Sequence, residues 1–140
     1  MSIADPISPA FALINSTLRA DATFMAQVQG VYQGMAPDVA YTKPFCVMSY
    51  QSGQDTNTAT GAYRILSRLI MQVQIVGLGS DGAAVRAAFA RMDGVLMPIG
   101  RALLEHGGTL ALYRTSTISY EESVSGAIWT HLGGLYRVEV

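Results

Sequence analysis

The sequence predicts an α+β fold: a mainly antiparallel, twisted sheet with a long central hairpin and helices packed on one face. Period-two alternation from Tyr63 to Val76 marks a long strand. Two stretches of helical spacing, opening at Ser8-Pro9 and near Ser80-Asp81, lie on either side of it. Strand-like runs then close the chain, so the order is helix, strands, helix, strands.

The elements follow in chain order. Ser8 at an N-cap and Pro9 at the first helical position start a helix carrying Phe11, Ile14 and Leu18. Asp21 is placed to cap a further short turn with Phe24, Met25 and Val28, closed by Gly30. Val31-Tyr32-Gln33 reads as a short strand. Pro37 and Pro44 bracket an extended connection. Phe45 to Tyr50 is a strand by its aromatic and β-branched content. Gln51 to Gly61 has no apolar residue larger than Ala59 and is expected to be a loop.

In the long strand, Tyr63, Ile65, Leu69, Met71, Val73 and Ile75 share one face, interrupted by Ser67. Arg64, Arg68, Gln72 and Gln74 lie on the other, with Leu66, Ile70 and Val76. Gly77 to Gly79 is expected to end the strand, and Ser80 or Asp81 to cap a helix with Val85, Ala88, Phe89, Met92 and Leu96 on its apolar stripe. Pro98 breaks that helix. A further helical turn is expected through Arg101, Leu103 and Leu104. Thr109 to Tyr120 alternates as a strand. Ala127 to Val140 is divided by Gly133-Gly134, which implies a bulged strand or a hairpin.

The chain of 140 residues has the size of one domain, expected to span 1–140. Half its residues are hydrophobic and 14% are charged, too apolar for intrinsic disorder. So few charges suit a surface partly covered by other subunits; a surface rich in Ser, Thr, Gln and Gly is the alternative. The net charge is −1, and nine Lys and Arg are scattered, so sequence-specific nucleic-acid binding is not expected. Passive contact with DNA in a channel needs no basic stripe. The N-terminus lacks the pattern of a signal peptide, no apolar run is long enough to span a membrane, and the simplest location is the cytoplasm. The single Cys46 excludes an intrachain disulfide and reads as a small core residue.

No catalytic constellation emerges, and the expectation is a protein without enzymatic activity, cofactor or metal. His106 and His131 have no Cys or His neighbour at metal-ligand spacing; His106 marks a helix end. Glu121 and Glu122 are adjacent, so in a strand they face opposite sides. Glycines at 77, 79 and 82 match a dinucleotide-loop spacing. However, the preceding strand is amphipathic, and Asp81 places a negative charge where a phosphate would sit. A turn and helix cap is the preferred reading there; a small-ligand-binding module is the alternative.

Length adds a constraint. Fourteen extended residues span roughly 46 Å, whereas a compact domain of this size is roughly 37 Å across. The strand must bend at a bulge near Ser67 or send its first half out as a hairpin arm. Leu69 to Val76 is then the core half, and Tyr63 to Arg68 the half that reaches beyond the body. An arm of this kind needs a neighbour to cover it. Gln51, Gln54, Asp55, Thr56, Asn57, Tyr63, Arg64 and Arg68 are therefore the candidate subunit or partner contacts.

The ending Leu18 to Ala22, the strand Gly30-Val-Tyr32, the turn Met35-Ala-Pro37, the run Pro44-Phe-Cys-Val-Met48, the strand Arg68 to Val76, the helix Val85 to Leu96, Trp129 and the closing Tyr136-Arg-Val-Glu-Val140 come in a recognisable order. From about Phe11 onward this order resembles the tail completion, or tail terminator, proteins of long-tailed (siphovirus-type) bacteriophages. The chain departs from that pattern between Tyr113 and Gly134. The resemblance implies a virion protein of the tail and neck, made in the host cytoplasm. It implies a ring, typically homo-hexameric, that caps the tail tube protein, ends tube polymerisation and meets the head-completion (stopper) protein, with DNA passing non-specifically through its lumen and no membrane involved. A head-tail connector or a tail tube component of the same assembly is the alternative within this class.

Overall fold

The computed structural model describes residues 7–34, 39–57, 64–103 and 109–139. Tyr63, Leu104, His106, Met35 to Pro37 and the second part of the predicted 51–61 loop lie outside the described residues.

The chain runs α1 (Ile7–Arg19), α2 (Ala22–Gln27), β1 (Val31–Gln33), β2 (Phe45–Asn57), β3 (Arg64–Leu78), α3 (Gly82–Leu96), β4 (Arg101–Leu103), β5 (Thr109–Val124) and β6 (Ala127–Glu139). Short 3-10 turns sit on either side of α3, at Gly79–Asp81 and Met97–Ile99. The six strands form one sheet in the order β1-β2-β3-β6-β5-β4. Among the described residues the β1–β2 pair is parallel and the other four pairs are antiparallel. The architecture is the α+β fold that the sequence predicts.

Alternation builds the core. Leu69, Met71, Val73 and Ile75 are buried on one face of β3 and join Cys46 and Met48 of β2, and Tyr136 and Val138 of β6. The helices close over this face with Ala10, Phe11, Ile14 and Leu18 of α1, Phe24 of α2, and Val85, Ala88, Met92 and Leu96 of α3. Full burial of each such side chain contributes about 1.5–3 kcal/mol before entropy is counted. Phe89, also expected on the stripe, is only partly buried.

Polar ties fix how the helices sit. The Asp21 carboxylate accepts from the Phe24 N–H at 2.7 Å, the predicted cap. The same carboxylate takes two bonds from the Arg91 guanidinium, at 3.0 and 2.7 Å, joining α2 to α3. That fork, and next to it the Phe24 N–H, hold the Asp21 carboxyl below the usual carboxylate range. Asp93 of α3 accepts from the Tyr136 hydroxyl at 3.0 Å and pairs with Arg114 at 3.0 Å, pinning the helix to β6 and β5.

Several expectations need correction. Ser8 lies inside α1, which already includes Ile7, rather than outside it as a cap. Residues 51–57 continue β2 instead of forming a loop: they pair with β3 down to Asn57↔Arg64. A backbone ladder needs no apolar side chains, so composition alone misleads here. β3 extends through Gly77 and Leu78 before the turn. Asp81 stands at the N-terminal cap position of α3 but makes no side-chain cap bond; its carboxylate accepts from the Tyr41 hydroxyl instead. Arg101–Leu103 is a strand, not a helical turn. Gly100, at φ +49, reverses the chain and its carbonyl accepts from Leu112 N–H, which lays the segment beside β5.

β6 is continuous through Gly133-Gly134, without the bulge or hairpin expected there. The bulges fall at Gln51 in β2, at Thr115 in β5, and at Ile65 in β3, which is unpaired between Thr56↔Leu66 and Asn57↔Arg64 and lies two residues from Ser67, where a bulge was expected. The glycines serve close approach. A Cβ at Gly133 would stand 2.4 Å from the Val73 carbonyl oxygen, and one at Gly134 would meet the Tyr136 ring at 2.8 Å. The hairpin turn is Ser125-Gly126, with φ of +52 and +80, the left-handed pair that a two-residue turn requires.

Two glycine substitutions should therefore act in opposite directions. Gly133→Ala meets backbone and should cost about 1–3 kcal/mol. Gly94→Ala, in α3 with nothing within 4 Å of its Cβ, should gain about 0.5–1 kcal/mol. Urea unfolding of both variants measures the signs.

Candidate assembly surface

The sheet is long where its helices are not. Pairing of β3 with β6 stops at Arg68↔Glu139, while pairing with β2 continues to Arg64↔Asn57. Beyond Arg68 the described sheet is thus a two-stranded arm, and β3 also has its bulge there, at Ile65, so both solutions the length of the strand allows are present. The arm gathers most of the candidate contacts: Gln54 stands opposite Arg68, Asp55 opposite Ser67, and Asn57 opposite Arg64, with Thr56 between them. Gln51 is the extra residue of the bulge between Tyr50 and Ser52, and it is exposed, as are Ser52, Gly53 and Gln54.

Charges cluster at the base of the arm. Arg68 Nε lies 3.5 Å from Glu139, Arg137 Nε lies 3.9 Å from the same carboxylate, and the Tyr113 hydroxyl donates to it at 3.4 Å. These half-exposed pairs are worth at most about 1 kcal/mol each. They position the arm base, where two guanidinium groups share the one Glu139 carboxylate.

The face away from the helices carries its own small cluster. Phe45, Val47 and Val76 are buried there under Tyr32, Tyr41 and Trp129. Tyr41 and Trp129 meet edge to face at 5.1 Å. Beside them runs an apolar groove of about 560 Å³, reached by the exposed Val39 and Val124 and ending at His131. His131 is 8% exposed, stacks on Tyr120 at 4.3 Å, and among the described residues neither ring nitrogen has a hydrogen-bond partner. Burial pushes its pKa down, against a smaller opposing effect of Glu122, so the ring is neutral at pH 7.

The glycine-spaced turn after β3 is a packing device. A Cβ at Gly77 would meet Val85 at 2.6 Å and Pro44 at 3.1 Å, so the glycine lets α3 close on the strand. The Leu78 N–H, which a phosphate loop would offer to a ligand, donates to the Tyr41 hydroxyl at 3.2 Å. β3 is antiparallel to both neighbours, unlike the parallel strand of a dinucleotide fold. Glu121 and Glu122 point to opposite faces of β5, as adjacency requires. Among the described residues no group of three or more His, Cys, Asp or Glu gathers as a metal site, and no helix is long and apolar enough to cross a membrane.

Sequence reasoning missed the second half of the hairpin pair. β5 continues past Tyr120 to Val124, and most of residues 115–126 are exposed. The signal was present: Ser125-Gly126 between two alternating runs is a hairpin turn.

Burial, and after it the hydrogen bond to Asp81, pushes the Tyr41 hydroxyl up to about 12. A proton held more tightly in the folded state means that stability is full below the free tyrosine value of 10 and falls between about pH 10 and 12. Tyr41→Phe should remove part of that fall, read as a shallower loss of melting temperature over that pH range.

No protein-family profile matches the sequence, and no curated protein matches it. The fold is similar to that of a chain in a solved structure described as the virion of a native gene transfer agent particle. The two share 19% identity with a TM-score of 0.64, over 91% of this chain and 90% of that one.

Proposed function

We propose that this protein is a structural component of a phage or prophage virion: a tail terminator that forms a ring on the tail tube, ends tube polymerisation and joins the tail to the head-completion protein. The observation that carries this reading is the likeness of fold, along nearly the whole length of both chains, to a chain of a gene transfer agent virion. The two-stranded arm beyond Arg68 supports it, because such an arm needs a neighbour. A weakly charged chain of net −1 also suits a ring, homo-hexameric in this proposal, through which DNA passes without being gripped. The role is structural and non-enzymatic, and its place is the neck of the virion.

The arm carries the contact with the neighbouring subunit or the tube. Deleting residues 54–59 should leave the monomer folded, with an unchanged core signal by circular dichroism, and stop ring or tail assembly in particles complemented with the variant. Tails of normal length that still join heads would refute this role for the arm. A tube component would behave differently: its loss abolishes the tube, whereas loss of a terminator leaves tubes of uncontrolled length.

A further inference from the structure

Both outer strands of the sheet are only partly covered. β1 pairs with β2 at residues 46–48 alone, and β4 pairs with β5 at residues 109–111 alone. Residues 49–57 of β2 and 113–124 of β5 are left without an outer partner strand in the described chain. Neither stretch contains Pro or Lys, the usual means of blunting an edge. Each has a bulge at its inner end, Tyr50/Ser52 and Arg114/Ser116, and runs regularly for several residues after it.

The direction of the free backbone groups follows from bonds already made. Cys46 N–H donates to Gly30 and Met48 C=O accepts from Gly34, so these residues face outward from β2. Alternation, shifted by one at the bulge, brings the backbone groups of Gly53 and Asp55 to the same outer side. Leu112 N–H donates outward to Gly100. The same count through the second bulge turns Thr117, Ser119, Glu121 and Ser123 outward from β5.

We infer that residues 49–57 of one copy pair antiparallel with residues 116–123 of the next, making the sheet continuous from subunit to subunit. The inference deepens the ring proposed above and takes its closed symmetry from that reading. Strand direction fits: β2 and β5 run opposite ways within one chain, so copies turned about a common axis present an antiparallel pair. The outward residues Gly53 and Ser119 both belong to the helix-side face, so pairing them keeps the faces of neighbouring sheets aligned.

The stagger fits as well. Gly53 is level with Leu69 of β3, and Ser119, through Leu132, is level with Ile75. The two open edges are thus offset by six residues of β3, about 20 Å along the strands. The four long strands are about 19 Å wide. Joining the edges at one height therefore tilts the strands by about 45° to the ring axis, the tilt at which sheets close into barrels. β1 and β4 stand at opposite ends of the joined stretch and do not obstruct it.

The test is amide hydrogen exchange on the full chain from micromolar to about 1 mM. The seam predicts that an oligomer forms and that the amides of Gly53, Asp55, Thr117, Ser119, Glu121 and Ser123 slow together by about tenfold or more. Ser119→Pro, which removes one outward donor, should keep the chain monomeric with its amides exchanging at the free rate. Should that variant melt early, Ser119→Lys keeps the N–H but sets a charge in the seam, with the same expected loss of assembly. An oligomer whose edge amides still exchange at the monomer rate overturns the seam and leaves the ring standing. A chain that stays monomeric at about 1 mM, or folded variants that assemble like the parent, also overturns it.

Discussion

Every layer of the molecule takes its position from β3, a long strand hydrogen-bonded on both sides, to β2 and to β6. Its ladder to β2 sets the arm, its ladder to β6 sets the second hairpin, and its alternation sends Leu69, Met71, Val73 and Ile75 under the helices. A slip of one residue would turn that apolar row to the other face and expose it. The register is therefore held by burial, and everything paired to the strand inherits it.

The helices answer that row and little else. α1 and α3 cover the inner half of the sheet, where Phe11, Ile14, Leu18, Val85, Met92 and Leu96 meet it. Polar links supply orientation: the Asp21–Arg91 fork between α2 and α3, and Asp93 shared by Tyr136 and Arg114. Where the helical cover ends, the ladder of β2 and β3 continues, and β2 carries the exposed residues 51–54 there. Buried core and exposed ladder are thus separated along the same strands.

The second face shows how small details of packing fix the turn after β3. Tyr41 reaches back to Asp81 and Leu78, closing the turn after β3 and walling one side of the aromatic groove. Gly77 and Gly133 allow the close approaches that keep α3 and β6 tight on β3. A glycine pattern that resembles a ligand loop in the sequence is, in three dimensions, a place where two backbones and a helix come together.

Much of the fold was legible in the sequence because periodicity reports burial directly. The long strand, the α3 stripe of Val85, Ala88, Met92 and Leu96, the Asp21 cap, the short strand at Val31–Gln33 and the buried Cys46 all follow from side-chain chemistry local to each segment. Composition likewise limited the charge available for binding nucleic acid. What it could not show is pairing without burial. Residues 51–57 and 121–124 are strands because a neighbouring backbone offers hydrogen bonds, and Arg101–Leu103 is one because Gly100 turns it toward β5. The sequence by itself determined the apolar rows of β3 and α3 and that a strand overruns the body. Only the tertiary structure decided which edges stay open and how far they are offset, because backbone hydrogen bonds between distant segments leave no mark in side-chain pattern.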